Sequence, residues 1–244
     1  MWWEILIGVV ITMLLTIIFR YCIFCIYNKE CKLKEILKCL CKKLLFIISP
    51  DYYLAKYAKE KIKAKYEQKP EKEKSEEEQK EERARYIKTA NHANLIISII
   101  LCIVTVLLVF LWKCEFVYFL LFGLFGYRLL SRTTEINVAF LKDCVDKDKE
   151  SNLKKFDRIK LAFFSLIEEA VLFTGIYTFI YDKTQWFKPI LSGLHSFILS
   201  PVSICSAYRF AVFFKFVAVY QIICSVVLIT ISFATYISTQ DEKK

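Results

Sequence analysis

Long blocks without charge constrain this chain more than any other feature of its sequence. The first block runs from Trp2 to Tyr27, with only Glu4 near its start and Arg20 near its end. A helix needs about 20 apolar residues to cross the roughly 30 Å hydrocarbon core of a bilayer. The block therefore predicts a membrane span, and the absence of a basic region before it or a small-residue cleavage site after it predicts a retained span.

Four further blocks follow this pattern. Hydrophobic residues make up 56% of the 244 residues, compared with about 45–50% in a soluble domain. They gather in four more largely apolar runs, at 93–111, 116–130, 161–181 and 210–238, whose only charged residues are Arg128, Glu168, Glu169 and Lys215. The sequence therefore predicts an all-α integral membrane protein with about five transmembrane helices, in which 91–130 forms a transmembrane hairpin.

The charged segments between the blocks predict peripheral elements. In 28–50, apolar residues recur at helical spacing among lysines, which is typical of an amphipathic helix lying in the membrane interface. Residues 51–90 predict a solvated stalk that is helical or disordered, broken at Pro70. Residues 131–160 predict a cytoplasmic linker helix, and 239–244 a short charged tail.

The distribution of lysine and arginine predicts the orientation. With the N-terminus outside, 30 of the 35 basic residues lie on the cytoplasmic side, as the positive-inside rule requires. We therefore expect a multi-pass protein of the cell membrane with a cytoplasmic C-terminus. The net charge of +10 is then a topology signal and an attraction for anionic lipids, so no nucleic acid partner is expected.

A pore-like module is predicted at 161–238. Residues 186–201 are too apolar for a free outer loop and predict a helix of about ten residues, too short to cross the bilayer. Non-helical backbone at membrane depth is tolerated only where protein buries it or water fills a cavity. The order of span, re-entrant segment and span is that of a pore loop between two pore-lining helices. The alternative is that 186–201 lies on the outer surface.

Several residues around this module follow the order found in a known family. They are Tyr127, Arg128, Glu135, Ile136, Arg158 and Glu168, followed by the re-entrant segment and a run rich in valine and isoleucine at 219–237. In this order they resemble bacterial membrane proteins that carry a two-helix potassium-channel pore domain. The resemblance implies an oligomeric ion channel, a tetramer by analogy, regulated from the cytoplasmic side by a protein or ligand.

The chain departs from that family at the filter. Potassium channels carry T-V-G-Y-G, whose backbone carbonyls replace the hydration shell of the ion, whereas no glycine follows Gly193 here. A non-glycine residue in a left-handed conformation costs about 1–2 kcal/mol. We therefore expect either a weakly selective pore or a structural plug. The candidate filter residues are Ser203, Ile204, Cys205, Ser206 and Ala207, with His195 and Arg209 as candidates for the outer mouth.

Two adjacent carboxylates lie within the predicted fourth span. An acidic side chain there costs about 2.5–3.5 kcal/mol on insertion scales and usually faces the bundle or water. Glu168 and Glu169 are therefore candidates for a cation or proton site. The alternative is a buried pair with a basic residue or hydroxyl of a neighbouring helix. Because they project about 100° apart on a helix, one can be buried while the other is wet.

No enzyme, cofactor or metal site is expected. The sequence contains no phosphate-binding glycine loop, no H-E-x-x-H and no G-x-S-x-G. The C-x-x-C at Cys22 and Cys25 has no second pair at a suitable spacing for zinc. Two functions remain beside the pore: a non-conducting membrane scaffold that recruits a cytoplasmic partner, and a membrane-disrupting effector of a defence system that needs leak instead of selectivity.

Overall fold

The computed structural model describes residues 2–27, 45–67, 72–111, 114–145, 153–181, 187–194 and 211–233. Every regular element within these ranges is helical, which confirms the all-α prediction. In chain order the helices are α1 (Trp2–Tyr27), α2 (Leu45–Ile48), α3 (Pro50–Glu67), α4 (Lys72–Leu111), α5 (Glu115–Val145), α6 (Lys155–Tyr177), α7 (Lys188–Leu194) and α8 (Ala211–Val226), which a π-helix (Val227–Phe233) continues.

Two helices in the described part are long and apolar enough to cross a bilayer. They are α1 and the stretch Glu76–Leu111 of α4. Both leave large apolar side chains exposed, among them Leu14 and Ile18 on α1 and Ile100 and Ile103 on α4. A shorter apolar helix covers Lys215–Thr230.

Two helices continue through boundaries that the sequence predicts. The boundary at residue 90, between the charged segment and the second span, falls inside the 40-residue α4. The boundary at residue 130 falls inside the 31-residue α5, so 131–145 extends α5 and does not belong to a separate helix over 131–160. No proline interrupts either junction, and both are rich in residues that favour a helix.

The predicted interfacial helix at 28–50 lies mostly outside the described residues. Within 45–50, the four-residue α2 precedes Ser49, and Pro50 begins α3. Proline suits a first helical position because the backbone N–H that it lacks would have no hydrogen-bond partner there. The predicted break at Pro70 also lies outside the described residues, between α3 and α4.

The helices α1 and α5 pack backbone to backbone. A Cβ atom added at Gly8 would lie 2.2 Å from the Leu120 carbonyl oxygen, and one added at Gly123 would lie 2.2 Å from the Ile5 carbonyl oxygen. Glycine at both positions therefore permits the close approach that small residues give to paired membrane helices.

The charged segment after α2 is a packed helical hairpin. Leu54, Ala58 and Ile62 of α3 lie in one core cluster with Tyr86 of α4 and Ile17 of α1. Of the two alternatives for 51–90, helical or disordered, the described residues are helical and rest on the end of α1. A second core cluster joins α4, α5, α6 and α8 around Phe125, Leu172, Phe173 and Tyr177.

Candidate functional site: a buried charge network

Six charged side chains from four helices form a continuous network of ion pairs, which we term the charge network. Five of them are at most 3% exposed, and the sixth, Glu135, has a side chain that is 13% exposed. Such burial is costly unless the charges are paired and hydrogen-bonded. The members are Arg20 of α1, Asp51 of α3, Arg128, Arg132 and Glu135 of α5, and Glu168 of α6.

Asp51 is the point at which three helices meet. Its Oδ1 accepts from Arg20 Nε at 2.9 Å, and its Oδ2 accepts from Arg128 Nη1 at 3.2 Å and from Ser131 Oγ at 2.9 Å. Burial alone would raise the pKa of Asp51, but the guanidinium groups of Arg128 and Arg20 outweigh burial and lower this pKa to about 2. Asp51 is therefore a carboxylate at any physiological pH.

Glu168 is held by a bidentate arginine. Arg132 donates from Nε to Glu168 Oε1 at 2.8 Å and from Nη2 to Oε2 at 2.6 Å. The hydroxyl of Ser98 in α4 donates to the same Oε1 at 3.0 Å. Bidentate pairing with a carboxylate is among the stronger and more directional interactions of arginine. Glu168 thus has the arrangement of a carboxylate paired with a basic residue of a neighbouring helix.

The remaining bonds connect these two centres. Glu135 accepts from both Arg20 and Arg132, which links the Asp51 centre to the Glu168 centre. Arg128 Nη2 donates to Asn94 Oδ1 of α4 at 2.8 Å. The network therefore ties α1, α3, α4, α5 and α6 together. Moving any one of these helices would break bonds to buried charges.

Glu169 follows Glu168 in the sequence but takes no part in these bonds. Its side chain is fully buried, and neither carboxylate oxygen has a hydrogen-bond partner among the described residues. One turn before it on the same face of α6, Leu166 packs with Ile136 of α5 and with Leu228 of the π-helix that continues α8. At the same junction, the Cys224 sulfur of α8 accepts from Asn137 Nδ2 of α5 at 3.1 Å. Glu169 therefore lies where α6 meets α5 and α8.

A second polar cluster, the α7 clamp, fixes the short helix α7 between α6 and α8. Gln221 Nε2 donates to the carbonyl oxygens of Ser192 and Gly193, each at 3.1 Å. Tyr177 donates its hydroxyl proton to Gln221 Oε1 at 2.7 Å, and the Tyr181 and Ser192 hydroxyls lie 2.8 Å apart. Four residues of three helices, together with Tyr181 in the turn after α6, thus hold the end of α7 in place.

The packing of α7 on α6 is equally close. A Cβ atom at Gly193 would lie 1.9 Å from Thr174 Oγ1 and 2.6 Å from the Ala170 carbonyl oxygen. A cavity of about 380 Å³ borders the same contact and is lined mainly by apolar side chains of α6 and α7. Glycine is therefore required for α7 to reach its position.

Other predicted site residues fall outside the described part of the chain. These are His195, Ser203, Ile204, Cys205, Ser206, Ala207 and Arg209. Their assignment to a filter or an outer mouth stays a prediction. Within the described ranges, no group of three or more histidine, cysteine or acidic side chains is arranged to hold a metal ion.

Three residues of the predicted pore resemblance, Arg128, Glu135 and Glu168, meet in the charge network. Sequence reasoning did not identify Asp51 or Arg132 as their partners. One signal was available, because Arg20 within an apolar block requires a counter-charge from elsewhere in the chain. A second was the spacing of Arg128 and Arg132, which places both on one face of a helix.

Comparison of the chain with protein-family models, with curated proteins and with solved structures finds no match. The resemblance to two-helix potassium-channel pore domains gains no support from these comparisons and stays a prediction from the sequence.

Proposed function

We propose that this chain forms an oligomeric ion pore in the cell membrane, with weak selectivity. The observation that carries the proposal is the α7 clamp. With seven residues, α7 is about 10 Å long and cannot cross a bilayer, yet it is bound to two longer helices, α6 and α8, through buried polar groups. This supports a module of span, re-entrant helix and span, in which 203–207 would form the narrowest point.

The proposed membrane arrangement has five spans. They would be α1, the apolar part of α4, the first part of α5, α6, and α8 with its π-helix. In the orientation with the N-terminus outside, the charge network lies at the cytoplasmic end of α1. The basic residues there would attract anionic lipids, and the α3–α4 hairpin would extend into the cytoplasm.

An exposed stripe on α8 supports self-association. Phe216, Val219, Ile223 and Val226 are all exposed, and their spacing of three, four and three residues is that of a helix seam packed against a partner helix. Apolar residues exposed on a membrane span contact either lipid or another helix, and this regular spacing favours another helix. We propose that the α8 stripe contacts a second copy of the chain, in a tetramer by analogy with the resembled family.

Regulation from the cytoplasmic side would act through the charge network. Asp51 in the first turn of α3 bonds directly to α1 and α5. A protein or ligand that pulled α3 would therefore displace its partners on α1 and α5 and, through Glu135, would act on Arg132, which holds Glu168 on α6. Such a link would couple the α3–α4 hairpin to the first helix of the proposed pore module.

Cysteine scanning of 203–207 tests the pore. Each residue is replaced by cysteine in a background in which Cys205 is serine, and current is recorded before and after a membrane-impermeant thiol reagent is added outside. We expect a change of at least about twofold at one or more positions, because a blocked constriction limits flux. Unchanged current at every position would remove this segment from the pathway.

A non-conducting scaffold is the second candidate, favoured by the ordered α3–α4 hairpin. Its outer surface carries exposed ion pairs such as Lys56–Glu60, suited to a charged cytoplasmic partner. Exchanging the two residues, Lys56→Glu with Glu60→Lys, keeps the net charge and an i, i+4 pair but inverts the local surface. A scaffold should lose its cellular function through this exchange and tolerate the substitutions at 203–207, whereas a pore should respond in the opposite way.

A further inference from the structure

We propose that Glu169 is a proton-binding site, occupied at neutral pH, where α6 meets α5 and α8. In the carboxylic acid form, Glu169 leaves no uncompensated negative charge buried between these helices. This inference concerns the state of one side chain and does not depend on whether the chain conducts ions.

The burial of Glu169 is the first ground. Its side chain is 0% exposed and both oxygens lack a hydrogen-bond partner in the described residues. A carboxylate removed from water without donors is far more costly than a neutral acid in the same place, so such a group takes up a proton. Glu168, one residue earlier, avoids this cost because Arg132 and Ser98 donate three hydrogen bonds to it.

The charges around Glu169 are the second ground. The bonded network contains three arginines and three carboxylates, Asp51, Glu135 and Glu168, and is neutral without Glu169. An ionised Glu169 would therefore add a negative charge that no bonded cation offsets. One bound monovalent positive charge restores neutrality.

The neighbouring helices supply few groups that could provide that positive charge. Arg132 of α5 acts on Glu169, but its guanidinium is already committed to Glu168 and Glu135. Glu168 on the same helix repels a second negative charge. The buried thiol of Cys224, which bonds to Asn137 at the junction of α5 and α8, supplies no positive charge.

A proton fits this site better than an alkali cation. A cation of that kind requires several oxygen ligands converging on one point, whereas a proton requires a single carboxylate oxygen and one acceptor. One buried acceptor that has no partner among the described residues, Asn137 Oδ1, belongs to a side chain that bonds to Cys224 of α8. The π-helix begins two residues after Ser225, and such irregular turns occur frequently at functional sites.

Infrared spectroscopy of the full chain in detergent at pH 7 tests the proposal. A protonated carboxylic acid has a carbonyl stretching band that is separate from the bands of carboxylates and amides. We expect this band in the wild type and in the control Glu82→Gln, and its loss in Glu169→Gln. Absence of the band from the wild type, or its survival in Glu169→Gln, would overturn the proposal.

Exchanging the cations of the buffer distinguishes a bound proton from a bound alkali cation. The wild-type spectrum is recorded at pH 7 in sodium, in potassium, and with both replaced by a large organic cation. A proton site gives the same band in all three. A band that appears only after the alkali cations are removed would show that an alkali cation occupies Glu169, and would overturn the proposal.

A second readout needs no substitution. A hydrophobic carbodiimide reacts with protonated carboxyl groups. The acid adds across one C=N bond and its proton passes to nitrogen, so the peptide gains the full mass of the reagent. We expect an adduct on the peptide that contains Glu169, forming at least about fivefold more slowly as the pH is raised far enough to remove the infrared band. An adduct rate that stays constant while the band disappears would contradict the assignment.

Discussion

Asp51 shows how one buried carboxylate depends on its partners. It is unexposed and bonded to Arg20 of α1 and to Arg128 and Ser131 of α5. The sequence does not predict this role, because Asp51 stands at the edge of a charged segment, where most acidic side chains are exposed to water. Its burial follows from α1 and α5 packing closely enough to bring two arginines to it, and that packing is not encoded locally.

The pKa of Asp51 predicts an acid-sensitive stability. Its pKa is lowered from 3.8 to about 2 in the folded chain, so its contribution is complete above about pH 4 and is lost as the pH falls toward 2. We expect the free energy of unfolding of the wild type to exceed that of Asp51→Asn by on the order of 2 kcal/mol at pH 7. Denaturant unfolding in one detergent, followed by circular dichroism at several pH values, measures the difference. A difference that does not shrink between pH 4 and pH 2 would contradict the assignment.

The pair of Glu168 and Arg132 predicts a contrast with a surface pair. Glu168→Gln leaves a buried guanidinium short of a counter-charge, which costs about 3–5 kcal/mol. Glu81→Gln removes the partner of Arg85 in a pair whose side chains are 62% and 67% exposed, and should cost less than about 1 kcal/mol. Thermal unfolding of both variants in the same detergent gives the comparison. Equal losses would mean that the charge network contributes no more than a surface pair.

At the scale of helices, composition and periodicity carry most of what could be predicted. The largely apolar block Trp2–Tyr27 is one helix as expected. The continuity of α4 and α5 was not predicted, because a change from charged to apolar residues looks like an element boundary even when no residue there stops a helix. A helix ends where a residue interrupts its backbone hydrogen bonding, and a change in polarity alone does not end it.

The sequence also does not predict which helices pack against each other. The predicted hairpin joins α4 and α5, yet α5 packs mainly on α1, and α4 mainly on α6. Gly8 and Gly123 provide the physical reason, since the absence of a Cβ at both lets the α1 and α5 backbones meet. Two isolated glycines in long apolar runs do not reveal by themselves which of them face each other.

The α1–α5 contact predicts opposite effects for the same substitution at two glycines. Gly8→Ala would place a methyl group 2.2 Å from a backbone oxygen of α5, whereas at Gly126 the nearest atom is a side-chain carbon at 3.9 Å. We expect Gly8→Ala to lose about 1–3 kcal/mol through overpacking, and Gly126→Ala to be neutral or slightly stabilising because alanine favours a helix. Thermal unfolding compares them, and a tolerated Gly8→Ala would show that the two backbones are farther apart.

At the scale of the whole molecule, two polar clusters hold the helices together. The charge network binds α3 and its hairpin to the bundle, and the α7 clamp binds a short helix to α6 and α8. The sequence predicted a short helix in this region from its length and apolar character. It could not identify Gln221, since a lone glutamine in an apolar helix has no partner that can be recognised before the chain is folded.

The most direct test of the proposed pore is ion flux from liposomes that contain the purified chain. Potassium, sodium and chloride gradients are measured separately for the wild type, for Gln221→Leu, which removes the α7 clamp, and for Leu107→Ile, an exposed control on α4. We expect cation flux with little preference between potassium and sodium, altered by Gln221→Leu at least about threefold and unchanged by Leu107→Ile. Folded protein that passes none of the three ions would contradict the pore and favour the scaffold.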